Sequence, residues 1–104
     1  MSQLRLDIAT IQNMEHAFSI QMSKMRHLFY FLDVYAEKGQ VSFVKTTVRC
    51  LEIEMYYLIA SKMPHPNIDF ERIRKAFEKK ISKMVENLTR KYLEKAIVVY
   101  TSQL

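Results

Sequence analysis

Hydrophobic residues recur every three or four positions along most of this chain, and that spacing places them on one side of an α-helix. Four blocks have this pattern. The first runs from Leu4 to about Phe18, with Ser2 placed to cap its free amides, and the second begins near Ser19 and ends at Gly39. Because no strong helix breaker separates these two blocks, one bent helix is also compatible with the sequence. We predict two helices.

The third block runs from about Ser42 to Lys62 and is ended by the proline-containing segment Pro64 to Asn67. Several β-branched residues near its start would suit a strand, but the apolar spacing over the whole block is helical. We therefore predict a helix. Its inner face consists of Val44, Val48, Leu51, Met55, Leu58 and Ile59.

The fourth block extends from about Asp69 to Tyr100. A single straight helix of that length would span about 48 Å, whereas a compact domain of this size has a radius of gyration of about 13 Å. We therefore expect a break near Glu86 to Arg90. The whole chain, residues 1–104, is predicted to be one all-α domain, a compact bundle of about five helices without β-sheet. Its core should include Leu28, Leu32, Leu51, Leu58, Ile73, Phe77, Ile81 and Leu88.

Composition agrees with a soluble globular domain: 104 residues, 49% hydrophobic and 26% charged, with one glycine and two prolines. Cys50 is the only cysteine, so an internal disulfide is impossible and a reducing, cytoplasmic location is expected. The longest apolar run, Met55 to Ala60, is far shorter than the ~20 residues of a membrane span. No membrane association is predicted.

Catalytic patterns are missing from the sequence. His16, His27 and His65 lie far apart, without the short spacings of a metal site. A single glycine is too few for a nucleophile elbow, a phosphate-binding loop or a dinucleotide fingerprint. We therefore expect no enzymatic activity, no metal and no cofactor.

The net charge of +5 is concentrated in the last third of the chain, where residues 69–95 hold nine basic and five acidic side chains. On a helix, Arg72, Lys75, Lys79 and Lys83 fall on one face, opposite the apolar positions. A row of cations at this spacing can follow a phosphate backbone. Lysine-rich solvent faces are also common, and Glu71 with Lys75 or Glu86 with Arg90 are possible i,i+4 pairs. Nucleic-acid binding is the interpretation that we favour.

A second candidate patch lies on the second and third helices. Arg26 and Tyr30 share one flank, Lys24, His27 and Phe31 another, and Lys45, Arg49 and Glu52 share a face of the third helix. Arginines beside exposed aromatic rings suit single-stranded RNA, whose bases stack on rings while its phosphates pair with guanidinium groups. The alternative for Phe31 is packing against a neighbouring helix or subunit.

The order of these blocks resembles the small subunit of type III-A CRISPR effector complexes. The resemblance rests on the polar stretch Ser19 to Arg26 leading into a helix that ends at Val34-Tyr35, and on the segment Tyr92 to Tyr100, in which Lys95 is an extra residue. It implies a non-catalytic antiviral-defence ribonucleoprotein subunit, stacked in several copies along the groove for target RNA. Arg26 would match the basic residue of the second helix, and Arg49 or Lys62 those of the third.

Two other classes stay open. A small helical regulator or inhibitor, of a phage or plasmid type, would bind a protein partner through its apolar and basic surface. A duplex-DNA-binding protein would need a helix-turn-helix, for which the turns at Gly39 and Pro64 to Asn67 have unsuitable spacing. Seven methionines and twelve aromatic residues also suggest self-association or contact with other subunits of a complex.

Overall fold

The computed structural model describes residues 3–63 and 70–104, and every regular element in these ranges is helical. This confirms the prediction of an all-α bundle without strands for that part of the chain. The segment Pro64 to Asn67 and the candidate cap Ser2 lie outside the described residues. The elements are α1 (Gln3–Lys24), α2 (Arg26–Glu37), α3 (Val41–Lys62), α4 (Glu71–Leu88), a π-helical turn (Thr89–Leu93) and α5 (Glu94–Ser102).

The chain bends between α1 and α2 at a single residue, Met25. Its amide donates to the carbonyls of Gln21 and Met22, and its own carbonyl accepts from Leu28 at 2.9 Å, so the hydrogen-bonded path continues through the bend. Two helices were expected, but the predicted boundary at Ser19 is wrong: Ser19 is an exposed residue inside α1. Burial of the Met25 side chain in the core accompanies the bend.

The sequence predicts a short amphipathic first helix with Leu4, Ile8, Ile11 and Met14 at helical spacing, and this prediction is partly wrong. Met14 is buried, as is Phe18, whereas Ile8 and Ile11 are exposed, and the side chain of Leu4 lies outside the described residues. None of the described side chains from Arg5 to Asn13 is buried. The side chains described in the first half of α1 therefore contribute little to the core, and Ile8 and Ile11 remain accessible.

Gly39 lies in the turn that stops α2, as predicted. Its φ of 68° lies in the left-handed region, which glycine adopts without a Cβ penalty. The amide of Gly39 donates to the carbonyl of Ala36 at 3.1 Å and the amide of Gln40 to that of Tyr35 at 2.9 Å. This pair of bonds is a Schellman motif, and it satisfies the last carbonyls of α2.

The core lies around α3, which packs against α1, α2, α4, the π-helical turn and α5. Six of the eight predicted core residues are buried, and Leu28 and Leu58 are half-buried against them. Most methionines serve this core. The buried methionines are Met14, Met25, Met55 and Met63.

The break predicted near Glu86 to Arg90 does not divide the fourth block into two separate helices, because a π-helical turn continues the helix there. Thr89–Leu93 joins α4 to α5 without reversing the chain, so one helical rod runs from Glu71 to Ser102. The wider turn holds Leu88, Tyr92 and Ala96, four residues apart, on the buried side. The bundle is consequently elongated, 62 × 21 × 18 Å, with a radius of gyration of 16.8 Å instead of the expected ~13 Å.

Candidate nucleic-acid interface

A row of four cations occupies the outer face of α4. The helix is amphipathic: Ile73, Phe77 and Ile81 are buried on one side, and the basic residues lie on the other. Their positions span about 16 Å along the axis, at ~1.5 Å per residue. All four are exposed, as the sequence predicted, and we call them the basic row: Arg72, Lys75, Lys79 and Lys83.

Part of this positive charge is balanced within the helix. Lys75 Nζ lies 3.9 Å from a carboxylate oxygen of Glu71, and Arg90 lies 3.4 Å from Glu86. The two i,i+4 pairs considered as an alternative from the sequence therefore both form. Since such exposed pairs are weak and screened by salt, they leave Lys75 and Arg90 available to an anion.

The rest of the basic row is unpaired among the described residues: Arg72, Lys79 and Lys83 form no ion pair there. These three side chains extend from a helix whose opposite face is fixed in the core. They are the strongest concentration of uncompensated charge on α4, and a polyanion would meet them without first breaking a protein contact.

Arg74 is a structural cation that the sequence reasoning missed. It is 7% exposed, its guanidinium contacts the Glu71 carboxylate, and its Nε lies 3.9 Å from Glu78. Its surroundings on α3 include Ile59 and Met63. The detectable signal was its spacing, with a glutamate three residues before it and another four residues after it. Arg74 is therefore paired within α4, buried beside the end of α3, and not accessible to a ligand.

Two exposed cations of α3 lie on the flank of that helix from which Tyr56 contacts α4. Tyr56 of α3 and Ser82 of α4 are hydrogen-bonded at 3.2 Å between their hydroxyl oxygens. Lys45 and Arg49 are exposed and lie on the same side of α3 as Tyr56. Arg49 is 3.9 Å from Glu52, in a further weak pair.

The structure places Arg26 and Lys62 away from the basic row and away from the flank of α3 that carries Lys45 and Arg49. Arg26 is exposed at the start of α2, which packs against α3 and α5. Lys62, at the end of α3, lines a groove against α1 together with Lys24 and Phe70. The eight candidate residues therefore divide into the four of the basic row on α4, Lys45 and Arg49 on one flank of α3, and Arg26 and Lys62 elsewhere.

The aromatic residues of the second patch stack mainly on one another. The Phe31 and Tyr35 ring centroids are 5.9 Å apart, and those of Tyr35 and Phe43 are 5.2 Å apart, both pairs stacked. His27 meets Phe31 edge-on at 6.3 Å. Because Tyr35 has a ring on each side, these aromatics link α2 to α3 and offer few free faces to a base. Tyr30, although strongly exposed, lies tilted against Phe31.

Across residues 3–63 and 70–104, no group of three or more His, Cys, Asp or Glu side chains is placed to hold a metal ion. None of the helices in those ranges is long and apolar enough to cross a bilayer. No family model, curated protein or solved structure matches the chain significantly.

Proposed function

We propose that this protein binds single-stranded RNA through the basic row of α4 without cleaving it. The supporting observation is the set Arg72, Lys79 and Lys83, exposed on the solvent face of a core-anchored helix and without an ion pair among the described residues. Contacts from such cations to phosphates release counterions and give affinity that depends little on sequence. Lys45 and Arg49 add exposed positive charge on α3.

Single-stranded RNA is favoured over duplex DNA by the character of α3. Only residues Lys38 to Gln40 separate α2 from α3, so the turn is short enough for a helix-turn-helix, and the expectation from the sequence that its spacing is unsuitable does not hold. The outward face of the following helix, however, carries Phe43, Ile53 and Tyr57 in place of residues that read base edges. The unpaired cations of the basic row lie along α4, and this arrangement suits a flexible phosphate chain better than a major groove.

In its more specific form, the proposal is that the protein is the small, non-catalytic subunit of a CRISPR ribonucleoprotein complex. The resemblance in block order and the helical bundle support this form. A subunit of this kind would be present in several copies and would line the groove for target RNA, so that weak binding by one copy is sufficient. Arg26 and Lys62 would then contact RNA or protein of the assembly, away from the basic row.

The test is fluorescence anisotropy of a labelled single-stranded RNA of mixed sequence, titrated with protein at several salt concentrations. The logarithm of affinity should fall linearly with the logarithm of salt concentration. Changing Lys79→Gln and Lys83→Gln together should weaken binding. It should also make the dependence on salt less steep, reducing the magnitude of the slope by about 1.4, at ~0.7 per lost phosphate contact. The matched control is Lys38→Gln with Lys95→Gln, which removes the same charge from exposed positions off the basic row and should leave the slope nearly unchanged.

Equal effects of both double variants would mean that net charge, and not the basic row, attracts RNA. Absence of RNA binding by the protein alone and in an assembly would remove the proposal. A salt-insensitive complex with one protein partner would then support the regulator or inhibitor alternative, which the exposed apolar residues of α3 and α5 favour.

A further inference from the structure

Helix α3 carries a second apolar stripe on the side that faces solvent. Its members are spaced alternately three and four residues apart over more than two heptads, and all are exposed, with Phe43 at 54%, Ile53 at 53% and Tyr57 at 72%. We call this stripe the outer seam: Phe43, Thr46, Cys50, Ile53, Tyr57 and Ala60.

The outer seam has the spacing of a coiled-coil interface. A heptad repeat places apolar residues at its first and fourth positions, where they pack against the same positions of another helix. The outer seam supplies Phe43, Cys50 and Tyr57 at the first position and Thr46 and Ile53 at the fourth. The opposite side of α3 already packs in the core of its own chain. Two apolar faces on one helix are explained if the second one is buried by a partner.

The seam is flanked by opposite charges. Arg49 lies along one edge and Glu54 along the other, five residues later, and both are exposed. Arg49 occupies the seventh position of one heptad, and Glu54 occupies the fifth position of the next. In two parallel helices aligned in register, these two positions lie next to each other across the interface. Arg49 would therefore meet Glu54 of a second copy, and the symmetry would form this pair twice.

We infer that the partner of the outer seam is a second copy of this chain, with the two α3 helices parallel and related by a twofold axis. In an antiparallel arrangement, the edge that carries Arg49 would face the same edge of the second copy, and the edge that carries Glu54 would do likewise. Arginine would then lie near arginine, and glutamate near glutamate. Charge complementarity therefore selects the parallel arrangement. The stacking of Phe43 on Tyr35 at 5.2 Å fixes one end of the seam before association.

This inference is independent of RNA binding. The seam lies on the outer side of α3, whereas the basic row lies on α4. Arg49 belongs to both candidate surfaces, and for that reason the RNA test above changes Lys79 and Lys83 only. Those two changes should leave the dimer intact, so failure of one proposal is distinguishable from failure of the other.

Sedimentation velocity over a range of protein concentrations measures the association. The parent protein should dimerise, and Ile53→Lys should make it monomeric at the same concentrations. Val98→Lys is the matched control, because Val98 is an exposed apolar residue on α5, off the seam. It should remain dimeric. Circular dichroism of both variants establishes that the helices are intact, and a parent protein that stays monomeric at every concentration overturns the inference.

Charge exchange tests the orientation. Arg49→Glu and Glu54→Arg, each alone, should weaken the dimer about ten-fold or more, since each replaces two attractions by two repulsions. The double variant with both changes should recover most of the parent affinity. In an antiparallel dimer each single change would preserve the like-charge pattern, and unchanged affinities would reject the parallel arrangement.

The single cysteine gives a direct readout of register. Oxidation with copper phenanthroline should link the protein through Cys50 into a disulfide dimer. Thr46→Cys in a Cys50→Ser background should link equally well, because Thr46 would face itself across the twofold axis. In the antiparallel arrangement Thr46 lies opposite Tyr57, which leaves the two copies of residue 46 about 16 Å apart along the axis. A dimer that does not link at position 46 overturns the parallel seam, and Val98→Cys in the same background controls for collisional linking.

Discussion

Replacing Gly39 by alanine tests how closely the turn between α2 and α3 packs against α5, the last helix of the chain. Gly39 has a φ of 68°, and a Cβ at this position would lie 2.8 Å from the backbone nitrogen of Tyr100 and 3.1 Å from its Cα. It would also lie 3.1 Å from Cγ1 of Val99. The change therefore introduces two separate costs, one in the turn itself and one against α5.

The left-handed conformation costs an alanine about 1–2 kcal/mol. Overpacking against a neighbouring element adds about 1–3 kcal/mol, and here the atom approached is backbone, which cannot rotate away. We expect Gly39→Ala to lower the free energy of unfolding by about 2–5 kcal/mol, a large part of the ~5–15 kcal/mol typical of a domain. A loss of about 3 kcal/mol should lower Tm by roughly 12 °C or more.

Urea denaturation followed by far-UV circular dichroism separates the two costs. Asparagine tolerates the left-handed region but has the same Cβ, so Gly39→Asn should recover only part of the loss. Val99→Ala in the Gly39→Ala background removes one of the close contacts but not the backbone contact, and should recover little. Lys38→Ala, an exposed neighbour, should change stability by less than about 0.5 kcal/mol. If Gly39→Asn equals the parent protein, the contact with α5 is absent and the reasoning is wrong.

Two further stability changes can be measured in the same denaturation assay. Arg74→Ala should lower the free energy of unfolding by about 2–4 kcal/mol, because it removes both the ion pairs and the packed aliphatic stem. Arg74→Met should lower it clearly less, because it keeps an aliphatic stem and the two half-exposed glutamates become hydrated. Equal losses for the two variants would contradict this assignment. Leu51→Ala, at a fully buried position of α3, should cost about 2–5 kcal/mol against a small effect of Val98→Ala, and a loss below about 1 kcal/mol would show that Leu51 is not central to the core.

The sequence predicted the parts of the fold that depend on local patterning. Apolar periodicity identified each helix, and the lone glycine identified the turn after α2. The bend between α1 and α2 was misplaced because Met25 has no local breaker signal and is buried by contacts with distant parts of the chain. The π-helical turn overlaps the predicted break, but one continuous rod forms where two separate helices were expected.

Local patterning also predicted one part of the candidate site, the basic row. Helical spacing alone placed Arg72, Lys79 and Lys83 on an exposed face, because the opposite face of α4 is strongly apolar. The same reasoning gave no role to Arg74, since a wheel of single residues does not show that two glutamates and the end of α3 surround it. Arg26 and Lys62 were proposed from the family resemblance, and Arg26 also from its place beside Tyr30, and neither argument shows how whole helices pack.

The outer seam escaped detection for a related reason. Thr46, Cys50 and Ala60 dilute its hydrophobicity, so the inner face of α3, with its larger residues, accounted for the whole periodic signal. Only the structure shows that Phe43, Ile53 and Tyr57 remain outside after the core is filled, while the methionines that had suggested an adhesive surface are mostly inside. Self-association, first inferred from an excess of methionine and aromatic residues, therefore rests on a different observation. A helix that is buried on one side and apolar at heptad spacing on the other lowers its exposed apolar area by pairing with itself, and Arg49 and Glu54 set the direction of that pairing.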